Sequence, residues 1–312
     1  MDPENNSLKR AEKKHFGFIR SFIGTCCGTQ VFVVLSRHSL WRVLAHLLLL
    51  ALLISVPVTV MVSKRYAPEF SAAREIFVST FGSEVYFDTE NLGLKPSKEP
   101  DKARTAVFPG FGRIFYYPAA PEKIPDSSAY ADLGCFAVWS PGNLSIAYRG
   151  ADSQWVVNSF NSSGMSFFVS SRPEELFKVV PEQAGGKTVK FSSERIFDEM
   201  FFAYRVRCYI VHAAAIFVLP LIYSLLLLAV LKFTFARVAP PDYFAWWKCG
   251  VYAAFPGALI ASAVPAFDLP LLSFSTAYML STMIYGLHAV MRVEYEKTMI
   301  SEENNNGKSG EE

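Results

Sequence analysis

Four long apolar runs constrain this 312-residue chain more than any other feature of its sequence. A helix needs about 20 consecutive apolar residues to cross the roughly 30 Å hydrocarbon layer of a membrane. The first run, WRVLAHLLLLALLISVPVTVMV, carries His46 as its only ionisable group beyond Arg42 at its start. We therefore predict an integral membrane protein with four transmembrane helices, at 41–62, 208–231, 249–267 and 269–291.

The overall composition agrees with this prediction and excludes two classes of protein. Hydrophobic residues make up 51% of the chain and charged residues only 19%, whereas soluble domains are about one-quarter charged. So apolar a chain is not intrinsically disordered. A formal net charge of +2 also lacks the concentrated positive charge that phosphate recognition needs. The lipid bilayer is therefore an expected partner, and nucleic acid is not.

The last two apolar runs are predicted to be separate helices that are joined by a tight turn. Together they exceed 40 residues, which is too long for one span. Pro265 and Pro270 bracket Asp268 between them, and prolines in this arrangement favour a turn over a continuous helix.

Basic residues predict the orientation of the chain. Six Lys or Arg residues precede the first run and only Lys64 and Arg65 follow it closely, so the positive-inside rule places both termini in the cytoplasm. The run begins 40 residues into the chain and no small-residue cleavage site follows it, unlike a cleaved signal peptide. The predicted segments are a cytoplasmic N-terminal segment with an interfacial helix at 1–40, an extracytoplasmic domain at 63–207, a cytoplasmic loop at 232–248 and a disordered cytoplasmic tail at 292–312.

The extracytoplasmic segment has the pattern of an α+β domain. A short amphipathic helix is expected after the first span, and another is expected from Pro173. Pro141, Gly142 and Asn143 form a hairpin turn signal between two apolar runs. The fold class is thus a four-helix transmembrane bundle with an α+β domain inserted between spans one and two. Strands are predicted at 84–88, 104–108, 113–117, 135–140, 144–149, 155–160, 166–170 and in KTVKF.

The sequence offers little support for catalysis. No nucleophile-elbow, zinc-protease, phosphate-loop or dinucleotide-binding motif is present, and the four runs contain no Asp or Glu, unlike most ion and proton pathways. We predict no catalytic, cofactor-binding or metal-binding residues and no cofactor. His46 and His288 fall at similar depths near the cytoplasmic face. They either share a proton or ligand, or are separate interfacial histidines.

Small residues and prolines in the spans point to helix packing. Gly250, Ala254, Gly257 and Ala261 recur along one run, and such ridges let helices approach closely. Prolines are expected to kink their helices, either as a matter of packing or around a small cavity. These prolines are Pro57, Pro220 and Pro256.

Cysteines leave one question open. Only Cys135 and Cys208 could meet on the outer side of the membrane, and the sequence does not decide whether they form a disulfide.

Two segments resemble a known family. The chain has an F-x-x-S-F opening from Phe18 to Phe22 and the segment DYFAWWKCGVYAAFPG at 242–257. With a Trp before a Leu-rich first span and three later spans, the pattern resembles the bacterial membrane family catalogued as domain-of-unknown-function eleven-eighty-nine. Some members of that family are labelled maltodextrin-utilisation proteins, and the last three spans are also similar to Yip1-like membrane domains. The resemblance implies a bacterial inner membrane location and supplies no catalytic residues.

Two functions remain open at this point. The first is a non-enzymatic accessory, scaffold or sensor protein whose outer domain binds another membrane or extracytoplasmic protein. The second is a transport component or lipid-handling protein that uses kinked helices. An apolar patch on the outer domain above a solid bundle would favour the first, and a cavity between spans one, three and four would favour the second.

Overall fold

A computed structural model of the chain divides by its internal contacts into two units. The helical unit comprises Met1–Ser63 and Arg205–Glu312, and the inserted domain comprises Lys64–Tyr204. These bounds lie within the segment 63–207 that the sequence predicts for this domain. The structure describes residues 16–89, 94–98, 100, 102–108, 112–121, 125–150, 154–161, 164–178, 188–235, 242–267, 269 and 273–308.

Three of the helices are long and apolar enough to cross a membrane, namely α3, α4 and α5. They contain the first three predicted spans, at 41–62, 208–231 and 249–267. The predicted fourth span corresponds to the first part of α6, whose Ser, Thr, Tyr and His residues dilute its apolar character, and α6 is not among the candidates found in the described residues. The helices are α1 (Phe18–Cys27), α2 (Phe32–Leu35), α3 (Leu40–Phe81), α4 (Ser193–Phe235), α5 (Tyr243–Phe267) and α6 (Phe274–Lys308).

Two helices are longer than the sequence suggested. Helix α3 continues without a break through Pro68 to Phe81, so the amphipathic segment after span one is not a separate helix. Helix α6 continues to Lys308, through most of the tail predicted to be disordered. Ion pairs between Arg292 and Glu296 and between Lys297 and Glu294 join side chains on neighbouring turns and support this extension. The predicted turn around Asp268 lies largely outside the described residues.

The N-terminal segment, predicted to hold an interfacial helix, contains helix α1. Its polar residues Ser21 and Thr25 are buried, whereas Ile19 and Ile23 are exposed. This arrangement reverses the usual pattern of a surface helix in water and suits a helix whose outer side contacts lipid.

The described residues of the inserted domain form nine strands in two sheets, with orders β2-β1-β9 and β3-β4-β5-β6-β7-β8. Only β4 and β5 pair in parallel among the described strands. Gly142 has a φ of 81° between β5 and β6, which confirms the predicted turn. The strands are β1 (Glu84–Asp88), β2 (Leu94–Pro96), β3 (Arg104–Phe108), β4 (Gly112–Tyr116), β5 (Cys135–Ser140), β6 (Asn143–Arg149), β7 (Trp155–Asn161), β8 (Gly164–Ser170) and β9 (Thr188–Ser192).

The six-stranded sheet has two differently covered faces, because successive side chains alternate between the faces. On the helix-covered face, Trp139 and Ala106 pack with Phe77 of α3 and Phe197 of α4. On the turn-covered face, Phe136, Val138 and Val157 pack with Phe177 from the 3-10 turn Pro173–Phe177. That 3-10 turn replaces the helix predicted from Pro173.

Candidate functional site

An apolar pocket of about 360 Å³ lies between the helix-covered face of the sheet and two helical segments of the inserted domain. The two segments belong to the parts of α3 and α4 that fall within Lys64–Tyr204. Sequence analysis had not predicted this pocket. Its lining includes Phe70, Phe77, Trp139, Phe197 and Met200.

Small residues on β5 leave the space that the pocket occupies. Cys135, Ala137 and Trp139 alternate along this strand toward the pocket, and only Trp139 is large. The indole N–H of Trp139 donates a hydrogen bond to the carbonyl of Leu94 at 2.9 Å, and the ring stacks on Phe77 with centroids 6.0 Å apart. Trp139 therefore forms a fixed aromatic wall whose polar atom is already satisfied.

The polar groups near the pocket are few. Arg113 contributes to the lining, but it stands two residues from Phe115 on β4, so both side chains lie on the turn-covered face, away from the pocket. Its guanidinium donates a hydrogen bond to the carbonyl of Ala129 at 2.7 Å. Cys135 does alternate toward the pocket. Burial raises the pKa of the Cys135 thiol, so this group stays neutral at ordinary pH. The pocket therefore presents a hydrocarbon surface with one neutral thiol.

The same sheet carries an exposed apolar surface on its edge strand β8. The alternate residues Met165, Phe167 and Val169 are 75%, 64% and 55% exposed. These residues of β8 pair with residues of β7 that in turn pair with Leu144 and Ile146 of β6. Paired residues share a face, so the exposed residues lie on the same side of the sheet as Leu144 and Ile146, which line the pocket. No described strand pairs with the outer edge of β8, and this strand has neither a charged residue nor a proline.

A second polar arrangement lies in the helical unit, around Tyr252 of α5. Its hydroxyl lies 2.8 Å from Nδ1 of His38 and 3.1 Å from Nδ1 of His46. A hydroxyl has one proton, so Tyr252 can donate to only one imidazole at a time and accepts a hydrogen bond from the other. Beside it, the buried Lys248 ammonium donates to the carbonyls of Ser36 and His38, at 2.6 and 3.0 Å.

His46 and His288 do not pair, so of the two alternatives that the sequence left open, the shared proton or ligand is wrong. His288 is exposed, and its Nδ1 hydrogen-bonds to the carbonyl of Ile284 one turn earlier in its own helix. His46 instead joins Tyr252 and His38. Depth along the chain does not decide which faces of the helices meet. The sequence signal that could have found Tyr252 is a lone phenol inside an apolar run.

The small residues predicted for helix packing do lie at close contacts. A Cβ added to Gly250 would lie 2.8 Å from Cβ of Ser224 in α4, and one added to Gly257 would lie 2.5 Å from the hydroxyl of Thr282 in α6. Ala254 and Ala261 are fully buried. The prolines predicted to kink their helices are Pro57 in α3, Pro220 in α4 and Pro256 in α5. The bend expected at each of them stays a prediction.

The structure answers the open cysteine question within the described part of the chain. Cys135 and Cys208 are both free thiols. No cluster of three or more His, Cys, Asp or Glu side chains there is placed to hold a metal ion.

Three comparisons of the chain with known proteins found no match. No family model, no curated protein and no solved structure matches it. The resemblance to the bacterial membrane family therefore stays a prediction, and the functional argument rests on the geometry.

Proposed function

We propose that this chain is a non-enzymatic integral membrane protein, an accessory, scaffold or sensor, whose inserted domain lies outside the cytoplasm and binds a partner protein. Its location would be a bacterial inner membrane with both termini in the cytoplasm. The three apolar helices support membrane insertion. The charge distribution around the first helix supports the orientation.

The observation that carries the proposal is the edge strand β8. An unpaired edge with exposed apolar side chains is a template for pairing with another chain, and proteins usually protect such edges with charges, prolines or a covering element. Strand β8 has none of these protections among the described residues. The partner that fits is an extended protein segment, which would hydrogen-bond to the β8 backbone and set alternate apolar side chains against Phe167 and Val169.

The helical unit favours this function over passage of a substrate between the helices. Helices α4, α5 and α6 approach one another at Gly250 and Gly257 so closely that a single added carbon would clash. Fully buried side chains of spans one, three and four belong to one core cluster, for example Leu47 of α3, Phe255 of α5 and Tyr278 of α6. A tightly packed bundle with an apolar surface on a separate domain is the arrangement expected of a partner-binding protein.

The test is native mass spectrometry of the protein purified gently from its own membranes, with Val169→Lys compared against Val107→Lys. Val169 lies on the proposed edge, and Val107 is 52% exposed on the opposite edge strand β3. We expect a stoichiometric protein companion that is lost from Val169→Lys and retained by Val107→Lys. A companion retained equally by both variants, or a wild-type protein that arrives without one, would contradict the proposal.

A further inference from the structure

We infer that the pocket of the inserted domain binds a single hydrocarbon chain, which is either a free fatty acid or one acyl chain of a membrane lipid. This site lies under the helical segments and involves none of the β8 residues. The inference therefore stands independently of the partner-binding proposal.

The size of the pocket suits one chain. Its volume of about 360 Å³ falls within the range of about 300–1,000 Å³ that is typical of small-molecule sites. At about 30 Å³ for each water-sized group, it has room for about a dozen methylene groups. Two parallel acyl chains of ordinary length would not fit.

The walls of the pocket select for hydrocarbon. Phe77, Trp139 and Phe197 supply aromatic surface, and Leu144, Ile146 and Ile196 supply aliphatic surface. Trp139 has its only polar atom bonded to Leu94, so it offers no hydrogen bond to a ligand. Water is poorly held in such a cavity, because each molecule needs two to four polar partners.

The charge of a ligand headgroup should not affect its binding. Among the described residues that line the pocket, the only charged one is Arg113. It follows the register of the turn-covered face, and its guanidinium is bonded to Ala129 there. No charged side chain among the described residues therefore reaches a headgroup from inside the pocket. Recognition then depends on the length of the chain.

The cavity itself argues for an occupant. The side chains that line this half-open apolar pocket lack the dispersion contacts that packed neighbours would supply, yet β5 places the small residues Cys135 and Ala137 at its floor. Larger aliphatic side chains at these residues would close the space and gain dispersion contacts. A hydrocarbon chain supplies the missing contacts without changing the sheet.

Quenching of Trp139 by brominated chains tests the inference directly. The full chain is held in a belt of amphipathic peptides, so that no detergent chain competes, and Trp139 is kept as the sole tryptophan. The matched control keeps only Trp155, which is also buried but belongs to the turn-covered face of the same sheet. The probes are ω-bromo-alkanoates from hexanoate to hexadecanoate and the corresponding ω-bromo-alkyltrimethylammonium ions.

We expect the probes to quench Trp139 and not Trp155. The Kd should tighten about fourfold for each added methylene and level off at about a dozen, with both headgroups giving the same values. A brominated diacyl phospholipid that quenches as deeply would identify the ligand as a lipid acyl chain. Quenching by the single-chain probes of both charges, but not by the diacyl phospholipid, would identify a free single-chain ligand such as a fatty acid. Equal quenching of Trp155, the absence of a plateau or a strong headgroup preference would overturn the inference.

A second measurement uses the unaltered chain, in case removal of the other tryptophans prevents folding. Cys135 lines the pocket, whereas Cys27 is exposed in α1. Dodecanoate should slow the alkylation of Cys135 and leave that of Cys27 unchanged. If neither assay detects a chain while the β8 companion is still present, the hydrocarbon inference fails and the partner-binding proposal stands.

Discussion

Replacing Gly250 by Ala should destabilise the helical unit, although the same change usually stabilises a helix. Ala is favoured over Gly by about 1 kcal/mol inside a helix. At Gly250, however, the new Cβ would lie 2.8 Å from Cβ and 3.1 Å from Cα of Ser224. The Cα atom belongs to the backbone of α4, so that helix must move as a whole. Overpacking of this kind raises the energy of the fold by about 1–3 kcal/mol.

The net effect follows from these two opposing contributions. We expect Gly250→Ala to lower the free energy of unfolding by up to about 2 kcal/mol. Gly257→Ala should have a smaller effect in the same direction, since its nearest contact is the Thr282 side chain at 2.5 Å. Gly286→Ala should be nearly neutral, because the atom it meets is the flexible end of Leu227.

The assay is reversible unfolding in mixed micelles with increasing dodecyl sulfate, followed by circular dichroism. Gly28→Ala is the control, because a Cβ there would meet nothing within 4 Å and its extended backbone suits any residue. Its unfolding free energy should equal that of the wild type or exceed it slightly. If Gly250→Ala instead stabilises the protein by about 1 kcal/mol, as helix propensity alone predicts, the close approach of α4 and α5 is refuted.

Two more predictions concern Tyr252 and Cys135. Tyr252→Phe removes the hydroxyl that His38 and His46 share. Because two buried imidazoles lose this partner, the unfolding free energy should fall by about 1–3 kcal/mol. An unchanged value in the same unfolding assay would show that the Tyr252 hydroxyl does not join the two histidines. Burial raises the pKa of the Cys135 thiol, and the thiolate is the form that reacts. In a variant with Cys135 as its single cysteine, the alkylation rate of the folded protein should therefore rise at a higher pH than that of the unfolded chain. Coinciding pH profiles in native and denaturing conditions would contradict that expectation.

The sequence by itself determined the features that depend on neighbouring residues. The apolar runs became helices α3, α4 and α5 because a helix of sufficient length and hydropathy is a local property of the chain. The predicted strands appeared for the same reason, and Gly142 adopts the positive φ that its turn signal implied. The extension of α6 was also present in the sequence, since Arg292 and Glu296 stand four residues apart.

Only the tertiary structure decided which distant residues meet. Alternation along β5 puts Trp139 and Val138 on opposite faces of the sheet. The sequence does not say which of these faces the helices cover, and the pocket forms only on the helix-covered face. His46 finds Tyr252 and His38 instead of His288 because the rotation of each helix is determined by packing over its whole length. The exposed edge of β8 likewise follows from the order of the strands, which is set by long-range pairing such as the parallel contact of β4 with β5.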